Sequence, residues 1–294
     1  MDNRDEVREF LVSRRARLSP EQAGVPAGSR RRVPGLRRSE VATLADVSVE
    51  YYAKLERGNL SGVSPAVLEA VARALQLDEA ERAHLLHLAQ AAEGSDTLAR
   101  PRVRSSSQWT PHSSLQWTLD AITAGPAWVA NGRLDVLAAN ALARAFYADL
   151  YTTSGTKPPN MARFQFLDPA ARRFYPDWDH VADMTVDLLR TEAGRNPHDK
   201  DLHDLVGELS TRCDDFRTRW GAHNVTRHGT GTKRFHHPVV GELTLSWEAL
   251  AMTSESGLTL TVYTAEPGSP SEEGLQLLAS WAASHEDASE TQAL

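Results

Sequence analysis

The sequence predicts two domains of different class, an all-α bundle at the N-terminus followed by an α+β domain with an antiparallel sheet. Three observations carry this. In the first hundred residues apolar side chains recur at helical spacing in five short stretches, framed by capping residues and turn formers. Late in the chain the pattern becomes strict alternation, in GELTLSWEAL and GLTLTVYTA, each opening on a glycine. The charge divides in the same way. From Arg14 to Arg38 there are eight arginines against one acid, Glu21, whereas the chain beyond residue 100 holds 17 basic and 24 acidic residues and alone accounts for the net charge of -7.

The elements follow in order. Asn3 with Glu6 reads as a capping pair for a helix bearing Val7, Phe10 and Leu11. The loop SPEQAGVPAGSRRRVPG precedes two short helices in RRSEVATLADVSVEYYAKLERG. Ser64-Pro65 starts a helix with Leu68, Val71 and Leu75 on one face. Asp78 and Glu81 form a capping box for the next, with Leu85 and Leu88. Residues 1–93 are thus the bundle, and the polar, Ser-rich segment 94–111 reads as a linker. In the domain from 112 to 294, PAWVANGRLDVLAAN reads as a hairpin with a tight turn at Asn131-Gly132. A helix with Leu142, Phe146 and Leu150 follows, then a Pro-containing loop. Two longer amphipathic helices come next, one from Trp178 to Gly194 and one carrying Leu202, Leu209, Cys213, Phe216 and Trp220. The two strands and a helix capped by Ser269-Pro270 close the domain.

No apolar run of about 18 residues is present, so no membrane span is expected. The start, MDNRDEVREF, lacks the apolar core of a signal peptide. One cysteine, Cys213, precludes an intrachain disulfide, and its place on an apolar helix side suggests a buried thiol. A cytoplasmic protein fits these features.

The stretch from Arg37 to Gly58 meets the physical needs of a helix-turn-helix. Ala42 is small where the helices cross, Asp46 tolerates the left-handed turn, and Val47, Tyr52 and Leu55 anchor the second helix. Ser48 is its N-cap, and Val49, Glu50, Tyr51 and Lys54 are candidates for base edges or nearby phosphates. Arg57 and Asn59 suit phosphates, and Arg30, Arg31, Arg32, Arg37 and Arg38 would follow the backbone of double-stranded DNA or enter a minor groove. The same spacing also suits a plain helical corner, and the arginines a solvated charge run.

The segment VATLADVSVEYYAKLERGNLSGVSPAVLEAVARALQLDEAERAHLLHLA resembles the DNA-binding domain of the XRE family of helix-turn-helix regulators. The arginine-bearing insertion before it resembles one bacterial subgroup. GRLDVLAAN, FLDPAARRFYPDW, LVGELSTR, GTKRFHHPVVGELTL and LTVYTAEPGSPSE are similar to the MmyB-like ligand-binding domain of that subgroup. The resemblance implies a helix-turn-helix bundle, a PAS-like fold for the α+β domain, a sensing role and a fatty-acid-like ligand in at least one relative. Asp46, where glycine is commoner, is the one departure.

A cavity for a small apolar ligand such as a fatty acid needs an apolar body with one polar end. Trp128, Phe146, Phe164, Phe166, Trp178, Phe216 and Trp220 are candidates for its walls, with Phe174, Phe235 and Trp247 in the same aromatic-rich region. Asn140, Arg163 and His236 are candidates for the polar end. Each aromatic at helical spacing equally suits plain core. Catalysis finds no support: no nucleophile elbow is present, and GTGTK at 229–233 lacks the spacing of a phosphate loop. His223, His228, His236 and His237 have no metal-ligand spacing, and no metal or cofactor is expected beyond a bound fatty acid. The expected protein is a homodimeric, sequence-specific DNA-binding regulator that senses a small apolar ligand. The alternative keeps the DNA head and makes the second domain a ligand-free dimerisation or partner-binding module.

Overall fold

In the computed structural model, which describes residues 3–26, 33–92, 109–152, 158–197, 199–222 and 230–292, the N-terminal helices form where the apolar spacing places them. They are α1 (Asn3–Arg17), α2 (Arg38–Leu44), α3 (Val49–Glu56), α4 (Pro65–Ala74) and α5 (Glu79–Ala92). Val7, Phe10, Leu11, Val41, Tyr52, Leu55, Val71 and Leu88 share one buried cluster. Ser64 Oγ accepts from Val67 N. The Asp78/Glu81 box is reciprocal, at 2.9 and 3.0 Å. The Asn3/Glu6 pair does not cap: Asn3 lies inside α1 and donates to the Leu88 carbonyl, while the Glu6 carboxylate is buried against an arginine.

That arginine comes from far along the chain. Two units divide the molecule, and the first comprises Met1–Ala99, Val186–Gly207 and Arg217–Arg227. It therefore includes parts of α11 (Trp178–Arg195), α12 (Lys200–Arg212) and α13 (Asp214–Gly221). Arg190, fully buried, holds Glu6 Oε1 at 2.5 Å and also donates to the Trp220 carbonyl. Its guanidinium lies 4.3 Å from the Trp220 ring centre. Gly194 lets the helix close on His84, since a Cβ there would come within 2.7 Å of the imidazole.

The one long helix expected through Cys213 is two. Cys213 lies between α12 and α13 and is half-buried, not enclosed as expected. Asp214 and Asp215 in the first turn of α13 complement a new helix N-terminus, which favours the restart.

The second unit comprises Arg100–Thr185, Glu208–Phe216 and His228–Leu294. Its sheet is antiparallel with order β2-β1-β5-β4-β3, from β1 (Ala127–Asn131), β2 (Val136–Ala139), β3 (Thr230–His237), β4 (Gly241–Ala251) and β5 (Leu258–Thr264). The β1–β2 hairpin forms, but its turn is not the tight Asn-Gly type. Asn131 Oδ1 accepts from the Arg133 and Asp135 amides, and the positive φ, 65°, falls on Leu134. Strand β3 (Thr230–His237) occupies a segment in which the sequence pattern did not reveal a strand. Its register, Lys233 opposite Leu245 and Phe235 opposite Leu243, puts Lys233, Phe235 and His237 on the inner face.

Short helices cover the sheet. On one face Leu115 and Leu119 of α6 (Ser113–Ala121) pack with Val129, Ala138 and Leu258. The expected helix at 142–150 is broken into α7 (Ala141–Phe146) and α8 (Ala148–Thr152). The loop after it carries α9 (Met161–Leu167) and α10 (Pro169–Phe174), helices the sequence pattern did not reveal. Helix α14 (Pro270–Gln292) packs on α7 and β4, its N-cap Ser269 accepting from Glu272 N. Among the described residues no helix is long and apolar enough to cross a membrane.

Candidate functional site

The surface suited to nucleic acid is built around the turn between α2 and α3. Asp46 takes φ 53°, the left-handed conformation the turn requires. Ser48 Oγ accepts from Tyr51 N at 3.0 Å, which fixes the start of α3. Val41, Ala42, Tyr52 and Leu55 are buried beneath it. Val49, Glu50, Lys54 and Arg57 are exposed, while Tyr51 is half-buried against the core. Asn59 is half-buried and donates at 3.4 Å to the Lys54 carbonyl. Gly58, at φ 90°, passes so close to α1 that a Cβ would meet the Arg4 carbonyl at 2.4 Å.

Two of the five candidate arginines are described, and Arg30, Arg31 and Arg32 lie outside the described residues. Arg37 is exposed, and its amide donates to Glu40 at 2.6 Å. Arg38 is already engaged by Glu56, a carboxylate only 1% exposed that also receives Arg15 at 2.7 Å. Nothing local marked Glu56, because its partners come from α1 and from the start of α2. With its carboxylate between them, Glu56 ties both helices to α3.

In the second unit the candidate wall residues fall into separate groups. Trp128 sits edge-on to Tyr147 and Tyr263, with centroids 5.5 and 5.0 Å apart. Phe146 touches Phe174, Phe235 and His237, and Phe164 touches Phe174. Phe166 instead packs with Trp178 and Phe216. Trp220 belongs to the first unit, beneath Arg190. A recess of about 40 Å³ opens beside Phe146, Tyr147, Phe164, Phe174, His237 and Trp281. Pockets for small molecules are typically ~300–1,000 Å³, so this recess is too small to hold one as it stands.

The three candidates for the polar end serve elsewhere. Asn140 caps α7, accepting from Ala143 N at 2.8 Å, and donates to the Ile122 and Gly125 carbonyls. It is a buried fastener of backbone. Arg163 is ion-paired with Glu208 at 2.9 Å. His236 is exposed, and its neighbour His237 takes the inward position against Phe146. Burial lowers the His237 pKa.

A polar group that the sequence reading passed over lies inside. The Tyr175 hydroxyl donates to Tyr147 at 3.3 Å, and Tyr147 donates to Tyr263 at 3.3 Å. Lys233 Nζ donates to the same Tyr263 oxygen at 3.4 Å and faces the Trp247 ring at 5.1 Å. Burial pushes all three phenols well above their ordinary pKa, so they remain neutral donors at pH 7. Burial brings Lys233 down to about 8, which still leaves it mostly protonated at pH 7. The alternation of Lys233, Phe235 and His237 was the available signal, hidden by the charged Arg234 and exposed His236 between them.

Residues 111–278 match the MmyB-like transcription regulator ligand binding domain, and residues 11–85 match a helix-turn-helix domain. No curated protein matches the chain.

Proposed function

The chain belongs to the MmyB-like transcription regulators, with a helix-turn-helix domain and a ligand-binding domain, and on that premise we propose that it is a sequence-specific, cytoplasmic repressor or activator whose operator affinity is set by a small apolar ligand of the fatty-acid type. One observation supports the ligand class: the aromatic interior around Phe146, Phe174 and Phe235 adjoins a small recess lined by Phe146, Phe164, Phe174 and Tyr147, whose hydroxyl is bonded to Tyr263. An apolar body fits such rings, and few polar atoms fix its orientation.

On the DNA side, α3 lies in the major groove with Val49, Glu50 and Tyr51 toward base edges, and Lys54 and Arg57 toward phosphates. One copy of α3 reads one half-site, so the expected assembly is a homodimer on a two-fold operator. Regulation requires the ligand to favour one of two states of unequal DNA affinity. The protein has no catalytic role in this reading.

The test is native mass spectrometry of the purified full chain, followed by solvent extraction and operator titration with and without what is extracted. A co-purifying acyl compound that shifts operator affinity is the expected result. A second reading, a ligand-free dimerisation or partner-binding domain, is favoured by the recess being only about 40 Å³. It predicts an intact dimer mass, no extracted compound, and no change in operator affinity when fatty acids are added.

A further inference from the structure

Helices α11, α12 and α13 each belong to both units. The division falls after Thr185 in α11, after Gly207 in α12 and after Phe216 in α13. Part of the segment that matches the ligand-binding domain therefore lies in the unit that holds the helix-turn-helix.

Helices α11 and α13 are joined at both ends. In the second unit the Phe166 ring packs on Trp178 of α11, with centroids 5.8 Å apart, and on Phe216 of α13, at 5.0 Å. A reciprocal pair also fixes Trp178. Its indole N–H donates to the Gln165 carbonyl at 3.1 Å, and Gln165 Nε2 donates to the Trp178 carbonyl at 3.2 Å. Gln165 and Phe166 follow Phe164 on α9, and Phe164 lines the recess. In the first unit Arg190 of α11 lies over the Trp220 ring and donates to the Trp220 carbonyl of α13. The same guanidinium holds Glu6 of α1 at 2.5 Å. Helix α1 in turn carries Arg15, which holds Glu56 of α3 at 2.7 Å.

The Arg190 contact is unsuited to sliding. The side chain is fully buried, and drawing it away from Glu6 would strand a charge inside. Four residues on, Gly194 leaves no side chain between α11 and His84 of α5. This end of α11 therefore moves with α1 and α5 as one body. Packed elements of this kind shift between discrete arrangements and do not deform continuously.

Taking the ligand-responsive reading above as its basis, we propose that α11 and α13 carry the state of the second unit to α3, with the Glu6–Arg190 pair as the joint at which they grip α1. A displacement of Phe164 moves α9, and α9 moves the ends of α11 and α13 that Phe166 joins. Arg190 passes the movement to α1, and Arg15 with Glu56 passes it to α3. Such a chain of contacts becomes a coupling only when both ends are shown to bias it.

The experiment titrates the full-length chain with operator DNA, with and without saturating dodecanoate. It compares the native protein with Glu6→Leu combined with Arg190→Met, which removes both charges and strands neither. Calorimetry follows dodecanoate binding separately. Dodecanoate should change native operator affinity about tenfold and that of the double variant less than about twofold, with both ligands still bound by the variant. By linkage, operator DNA should change dodecanoate affinity by the same factor, in the native protein only. A full change that survives in the double variant overturns the joint and leaves the ligand-responsive reading standing. Dodecanoate that fails to bind, or binds without changing native operator affinity, overturns that reading and this inference with it. Hydrogen exchange on the unaltered chain stands in if the double variant fails to fold. Dodecanoate should then change exchange in α9, in residues 186–195 and in α1 together. A change confined to the second unit refutes the proposal.

Discussion

Both units match buried charge with opposite charge, Arg190 with Glu6 in the first and Arg133 with Asp135 in the second, but the second also holds a half-buried cation beside neutral phenols. In the first, Arg190 meets Glu6 and Glu56 meets Arg15 and Arg38, so buried charge is answered by opposite charge. In the second, Lys233 and three tyrosines form a cluster without a carboxylate. Burying a charge costs several kcal/mol unless it is paired. The first arrangement ties distant helices together through paired charge. The second leaves an ammonium among neutral hydroxyls and ring faces.

The sharpest way to break this contrast is to remove one partner of the first unit's enclosed pair. Glu6→Leu leaves the Arg190 guanidinium inside without its carboxylate. It should cost ~3–5 kcal/mol of stability in urea unfolding. Replacing both, as Glu6→Leu with Arg190→Met, should recover most of that loss, because no charge is then stranded. A single-variant loss below ~1 kcal/mol would mean that water or another group already serves Arg190, and the claim of electrostatic closure would fail.

Glu56→Gln is a milder version of the same test. Arg38 is over half exposed and can be hydrated, so the change removes charge assistance from the bonds and strands little. A loss of ~1–3 kcal/mol is expected. Operator affinity should also fall, because α3 loses its tie to α1 and to the start of α2. Unchanged operator binding at temperatures where the variant is folded would remove Glu56 from the positioning of the reading helix.

What could be read in the sequence follows the range of the interaction. Ser48, Ser64 and the Asp78/Glu81 box each act on an amide three residues away, and the positive φ at Asp46 is a property of one residue; all were legible. The antiparallel sheet was legible where alternation was clean, in β4 and β5, but not in β3, where a lysine sits on the buried side. Glu6 looked like a cap because glutamate three residues after asparagine usually is one. Its partner lies 184 residues away, and no local pattern encodes that distance. Asn140 and Arg163 were sought as ligand groups for their chemistry, yet a backbone turn and a glutamate had prior use of them. Lys233 was missed for the converse reason: its surroundings appear only when β3, β5 and the junction between α7 and α8 at Tyr147 are brought together.

On DNA the expected effects are smaller and divide by chemistry. Arg57→Ala should weaken operator and random DNA alike by a few-fold and reduce the slope of log affinity against log salt by ~0.9. Glu50→Ala should instead change the preferred sequence while leaving that slope nearly constant. Anisotropy titrations at three salt concentrations distinguish them. A change of sequence preference in Arg57→Ala would show that the exposed face of α3 is assigned to the wrong groups.

The smallest effect concerns the unanswered cation itself, without any ligand. Lys233 titrates near 8 in the fold against an ordinary 10.5, so between those values the unfolded chain holds more protons than the native one. Stability then rises with pH through that window, and below about 8 the full penalty of the buried ammonium is present. The titratable group facing it is Tyr263, linked through its hydroxyl to Tyr147 and on to Tyr175; all three are pushed upward by burial and keep their protons throughout. Their contribution has the opposite sign, lowering stability only as unfolded tyrosines ionise near pH ~10. The comparison is therefore the native protein against Lys233→Met, in which the phenols are common to both. The stability gap should narrow in the native protein's favour from pH 8 to 10. A gap independent of pH would mean that Lys233 is hydrated as in the unfolded chain, and the second unit would then be as electrostatically complete as the first.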